Sequence, residues 1–228
     1  EQEQMDDPGN RMLSRGPRFR LDAEMIRDMN LHVSGLLVEK LGGPSVKPYQ
    51  PDGLWFAVGY TRSNTARFTR DDGDDLYRRS VYTFWKRTSP PPSMTTFDAP
   101  SRESCTVRRE RTNTPLAALL LMNDEQFVES ARNLARRAII RNPEDLEEQL
   151  TWAFRAVLTR HPTRSELDLL GQLYDEQRRD YIEDPDSAMQ LLSVGESPRD
   201  IGIDQSQYAA MTIVMNLILN LDEAITKG

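Results

Sequence analysis

Proline placement constrains this chain more than any other feature. Pro44, Pro48 and Pro51 are clustered, and Pro90, Pro91 and Pro92 are consecutive. Proline lacks a backbone donor and disfavours helix in the residue before it. The stretch 44–55 is therefore expected to be extended or turn-rich, with Tyr49 and Trp55 as aromatic anchors. A second irregular segment, 93–114, follows Pro92. Loops of that length inside a compact domain are usually functional or tightly docked.

Helical periodicity fills much of the rest. Asp22 sits at an N-cap position before Met25, Ile26, Met29, Val33, Leu36 and Leu37, a helix face predicted to run to Leu41 and stop at Gly42 and Gly43. Residues 56–60 read weakly as a short strand. The acidic run Asp71–Asp75 leads into a predicted helix in which Tyr77, Val81 and Phe84 share a face, with Asp74 or Asp75 as its cap. From Pro115 the pattern is almost continuously helical. Asn123 with Gln126 reads as a capping box for a helix to Ile140, and another helix follows Pro143. Thr163 with Glu166 opens a third, and 205–225 forms a last, nearly all-apolar helix. The fold class predicted is mainly α: a helical bundle with long Pro-rich loops and at most a minor strand component. Residues 1–17 read as a lead-in segment and 18–228 as one mostly helical domain, with 112–115 the place for any subdomain seam.

Charge excludes a general nucleic-acid binder. The net charge is −7, whereas phosphate binding needs a dominant basic field. The charge is unevenly placed: 12 acids and 5 bases between Glu144 and Asp186, and 8 bases and 3 acids between Arg78 and Arg111. The longest strongly apolar run, 209–221, is too short to span a bilayer and contains Asn216. The N-terminal residues are polar with no signal-peptide pattern, which suggests a fragment or processed product.

No P-loop, dinucleotide fingerprint, nucleophile elbow, zincin or haem-attachment motif is present. His32 and His161 are the only histidines, so no metal site is nominated. His161 before Pro162 reads as a helix C-cap. The single Cys105 lies near Arg102, Arg108, Arg109 and Arg111, which would activate its thiolate if they converged; the plain alternative is a partly buried, inert thiol. Arg108, Arg109 and Arg111 form the best candidate anion site, and tying down loop carbonyls and nearby acids explains them equally well. Tyr82, Trp85 and Lys86 offer stacking and charge, or simply core packing. Tyr208, Thr212, Asn216 and Asn220 recur at four-residue spacing as a polar ladder on the last helix, where buried amides need partners. It could hold the long loops in place or line a ligand cleft.

The segments GPRFRLDAEMIRD, SGLLVEKLGGPSVKPYQPDGLW, NLILNLDEAITK and the long central run from Tyr77 to Ala135 together resemble the C-terminal domain of unknown function of planctomycete cytochrome c-type proteins. That resemblance implies an exported, multidomain setting with haem c in another domain and no cofactor in this chain. It brings no catalytic residues. The expected function is a non-catalytic interaction module contacting neighbouring domains or a protein partner. The alternative is part of an enzyme or binding protein acting on polysaccharide, with the arginines holding sulfate and Tyr82 or Trp85 stacking on sugar.

Overall fold

The computed structural model describes residues 7–227 apart from 9, 14, 15, 17, 59–61 and 64. Most of the lead-in lies outside the described residues, although Asp7 is buried and its carboxylate accepts from the Arg11 and Met12 amides at 2.9 and 2.8 Å.

The fold is mainly α. Along the chain come β1 (Phe19–Arg20), α1 (Ala23–Ser34), α2 (Leu54–Val58), α3 (Pro92–Thr96), α4 (Pro115–Asn123), α5 (Glu125–Arg141) and α6 (Leu146–Leu158). They are followed by α7 (Arg164–Glu183), α8 (Pro185–Leu192), α9 (Gln205–Leu219), α10 (Asp222–Ile225) and β2 (Thr226–Lys227). The strands form a two-stranded antiparallel ribbon, Phe19 opposite Lys227 and Arg20 opposite Thr226.

α9 is the central element, packed against α5, α7 and α8. Ala209, Ala210, Met211, Val214, Met215 and Ile218 on it are fully buried. Each larger side chain among them contributes about 1.5–3 kcal/mol through burial. A second apolar cluster joins α1, α3, α4 and α10 through Ile26, Met94, Phe97, Leu121 and Ile225.

Several local expectations are corrected. α1 ends at Ser34 instead of Leu41, because Gly35 takes φ +80° and its amide bonds back to His32 and Leu31. Leu37 leaves the helix and Val38 bridges Arg78. Residues 54–58 are helical, not extended; Gly59 and Tyr60 of the expected strand lie outside the described residues. The helix expected after Asp75 is replaced by two 3-10 turns, Gly73–Tyr77 and Ser80–Tyr82, and Val46 bridges Thr83. Val81 of its supposed buried face is 66% exposed. Pro92 starts α3 as well as ending what precedes it, as suits the first turn of a helix.

α5 is capped by Asp124, whose side chain accepts from the Gln126 amide at 3.0 Å; Asn123 closes α4 instead. Thr159, at φ +60°, caps α6 in place of His161. The last helix breaks at Asn220, and α8 had no counterpart in the sequence reading.

The capping box of α7 forms as expected: Glu166 accepts from the Thr163 amide at 2.7 Å, and Thr163 Oγ1 accepts in return from the Glu166 amide at 3.3 Å. Hydrogen bonds from Arg160 and Thr163 pull the Glu166 carboxyl down to about 2. A depressed carboxyl stabilises the fold above its unfolded value, and that contribution fades as pH falls toward 2. Glu166→Gln should therefore cost about 0.5–1 kcal/mol at neutral pH and flatten stability against pH below about 4.5, read by urea denaturation across a pH series.

Candidate functional site

Irregular backbone between β1 and α4 must find partners for its buried carbonyls without a helix to supply them. Buried guanidiniums do this. Arg27 of α1 donates to the carbonyls of Arg78 and Leu76 at 2.8 and 2.7 Å, to Ser80 Oγ at 3.2 Å and to Gln126 Oε1 at 2.9 Å. Its burial lowers its pKa to about 10. Arg78, 1% exposed, donates to the carbonyls of Pro44, Lys40 and Gly42 and stacks on the Tyr82 ring. Arg20 joins the Asp98 carboxylate to the Thr112 carbonyl, while Asp98 also accepts from the Thr112 amide at 2.7 Å.

Beside this sits a buried charged knot on α5. Glu129, fully buried, accepts at one oxygen from Tyr77 Oη at 2.9 Å and from the Ser197 amide at 2.6 Å. Arg132 Nη2 lies 3.7 Å from the same oxygen and donates to the Ser197 carbonyl at 2.6 Å. Tyr49 Oη accepts from the Glu196 amide at 2.8 Å. Burial, followed by the charge of Glu129, pushes the phenols of Tyr49 and Tyr77 well above their usual range.

The Pro-rich segment around Pro48 and the turn at Pro91 thereby become the walls of a narrow cleft against α1 and the start of α5. Phe84, Phe127 and Met94 supply apolar walls, while Gln50, Thr83 and Gln126 supply polar ones. Asp124, also in its wall, has a carboxyl raised by burial. None of these residues is a binding candidate from the sequence, where Gln126 reads as a capping residue and Phe84 as part of a helix face. One signal was available: Gln126, Glu129, Arg132 and Asn133 recur along the buried face of α5, where charged side chains need dedicated partners.

The residues singled out from the sequence sit elsewhere. Arg109 forms a bidentate pair with Glu24 at 2.6 and 3.1 Å and lies 3.7 Å from Asp22. Arg111 lies 3.8 Å from Asp22 and covers the Phe19 ring. Arg102 lies 3.9 Å from Glu24 and covers the Trp85 ring, whose Nε1 donates to the Ser101 carbonyl. Three guanidiniums thus converge on the carboxylates at the start of α1, while Arg108 is exposed and makes no ion pair among the described residues. Glu24 is pushed up by burial but held lower overall by Arg109. Cys105 is exposed, not partly buried. Lys86 donates to the Thr65 carbonyl at 2.7 Å and covers the Trp55 ring, and Tyr82 Oη accepts from the Gly42 amide.

In the ladder, Tyr208 and Thr212 are buried, and Thr212 Oγ1 donates to the Tyr208 carbonyl. Asn216 and Asn220 donate to the carbonyls of Leu121 and Ala118, each at 3.2 Å. Their partner is therefore helix α4, not the Pro-rich loops. Thr212, Asn216 and Asn220 also line an apolar groove of about 380 Å³ with Met122, Leu173 and Leu217.

Among the described residues no group of three or more His, Cys, Asp or Glu is arranged to hold a metal ion, and no helix is long and apolar enough to cross a membrane. A family model described as PSD1, protein of unknown function (DUF1553), matches residues 1–174, and the chain belongs to that family. No curated protein and no solved structure matches it.

Two substitutions probe the framework. Arg78→Met should cost about 3 kcal/mol and first accelerate amide exchange at Gly42 and Val46, because it strands three carbonyls. Gly195 has φ +85°, and an added Cβ would lie 2.3 Å from the Glu129 carboxyl carbon. Gly195→Ala should cost about 2–4 kcal/mol by urea denaturation.

Proposed function

We propose that this chain is a non-catalytic interaction module of an exported, cytochrome-associated multidomain protein, with haem c carried by a different domain. The observation that carries this is the state of α4. Its sequence, PLAALLLMN, is apolar all round, and such a helix is normally enclosed. Here only Ala117 and Leu121 on it are buried, while Leu116, Leu119 and Met122 are 60%, 56% and 54% exposed. Leu217 of α9 continues this surface at 43% exposure beside the apolar groove. Contiguous exposed apolar surface marks interaction sites. The exported, haem-linked setting comes from the resemblance of the central segments to the tails of planctomycete cytochrome c-type proteins.

A polysaccharide-directed role has weaker support. The rings of Trp85 and Tyr82, the proposed sugar platforms, are covered by Arg102 and Arg78, and two of the arginines that would hold sulfate, Arg109 and Arg111, already face Asp22 or Glu24.

Site-specific photo-crosslinking tests the interaction surface. A photoreactive phenylalanine at Leu119, irradiated in the cells that make the protein and followed by proteolysis, should give a crosslinked peptide pair that joins α4 to a haem-bearing domain. The same probe at Leu169, 65% exposed on α7, is the control. Equal labelling from both positions, or no crosslinked peptide from a haem-bearing domain, overturns the proposal.

A further inference from the structure

We propose that the cleft between α1, the 47–50 segment, Thr83–Phe84, α3 and the start of α5 is a binding site for a small neutral compound that presents a carbonyl or hydroxyl oxygen on an apolar body. This goes beyond the α4 surface and does not depend on it.

Three polar atoms of the cleft-wall residues have no hydrogen-bond partner among the described residues: Gln50 Nε2, Thr83 Oγ1 and Gln126 Nε2. Thr83 and Gln126 are 6% and 3% exposed. Leaving a buried donor unmade is costly, so three in one wall call for an occupant. The orientation of the Gln126 amide is fixed, because its Oε1 accepts from Arg27 Nη2 at 2.9 Å. Nε2 is left as a donor, as is Nε2 of Gln50, and the Thr83 hydroxyl can donate or accept. The orphan set therefore asks for an acceptor oxygen.

Charge selects a neutral one. The Arg27 terminal nitrogens in the wall are both engaged by protein oxygens, so they have little to offer an anion. The Asp124 carboxylate accepts from the Gln126 amide and repels anions from the same space. A cation in turn would face Arg27 and Lys47. Size sets the mode of entry: the cleft is partly open to solvent and has a cavity volume of about 20 Å³, room for one water-sized group. One oxygen enters, and the apolar remainder lies against Phe84, Pro91 and Phe68.

Acetamide is the simplest probe of this chemistry, with acetate and methylammonium as its charged counterparts. Titrated into the intact chain and followed by NMR, acetamide should shift the Met94 methyl and the Thr83 amide saturably, with a dissociation constant of order millimolar. The charged probes should leave both signals in place. Thr83→Val keeps the side-chain shape and should weaken acetamide binding about fivefold without lowering the melting temperature, since the lost hydroxyl has no partner in the fold. Gln50→Leu, on the more exposed wall, should weaken it similarly and leaves the Arg27 contacts intact. The proposal is overturned by linear, unsaturated shifts, by an equal response to acetate, or by unchanged affinity in both variants. A crystal soaked in acetamide that still shows only an ordered water between Gln50, Thr83 and Gln126 overturns it as well.

Discussion

Guanidinium groups buried against carbonyl oxygens hold the N-terminal half of this protein in shape. A helix satisfies its own backbone, but the irregular stretches between α1 and α4 cannot, and buried carbonyls need donors from somewhere. Arginine suits the task, with five N–H groups in a rigid fork and a charge that is hard to remove. Arg27 fastens the 76–80 turns onto α1, Arg78 fastens 40–44, Arg20 closes the 98–112 loop, and Arg132 holds Ser197 over Glu129. The cleft walls at 47–50 and 83–84 are added by backbone pairing, Val46 with Tyr82 and Phe84, and Lys47 with Asp71.

Legibility in the sequence followed the same divide. Where the backbone satisfies itself, local signals sufficed: Thr163 with Glu166 marked the start of α7, Pro115 the start of α4, and the apolar run marked α9 as central. Between Asp71 and Lys86 the apolar spacing mimicked a helix face, yet Arg27 draws the Leu76 and Arg78 carbonyls outward and Val46 pairs with Thr83, so only 3-10 turns survive. Gly35, not the Gly42–Gly43 pair, stops α1. The arginines most visible as a motif, Arg108 to Arg111, mainly neutralise α1's first acids, whereas the structurally decisive ones are dispersed and unremarkable in sequence. The cleft was illegible because its polar atoms come from residues 50, 83 and 126, which meet only through long-range contacts: the bridge of Val46 to Thr83 and the bond of Arg27 to Gln126.

The family match ends inside α7, but the fold does not divide there. α9, wholly beyond the matched residues, fills the centre of the main core, and the 195–197 segment supplies the amide that meets the Glu129 carboxylate. A buried carboxylate deprived of that amide and of Ser197's link to Arg132 would be under-bonded in a low-dielectric setting, which is strongly unfavourable. Residues 175–227 are therefore integral to the unit that carries the family's own segment.

The short ribbon of Phe19–Arg20 against Thr226–Lys227 has a geometric consequence. The chain entering at Phe19 and the chain leaving at Lys227 therefore pass side by side at the same end of the ribbon.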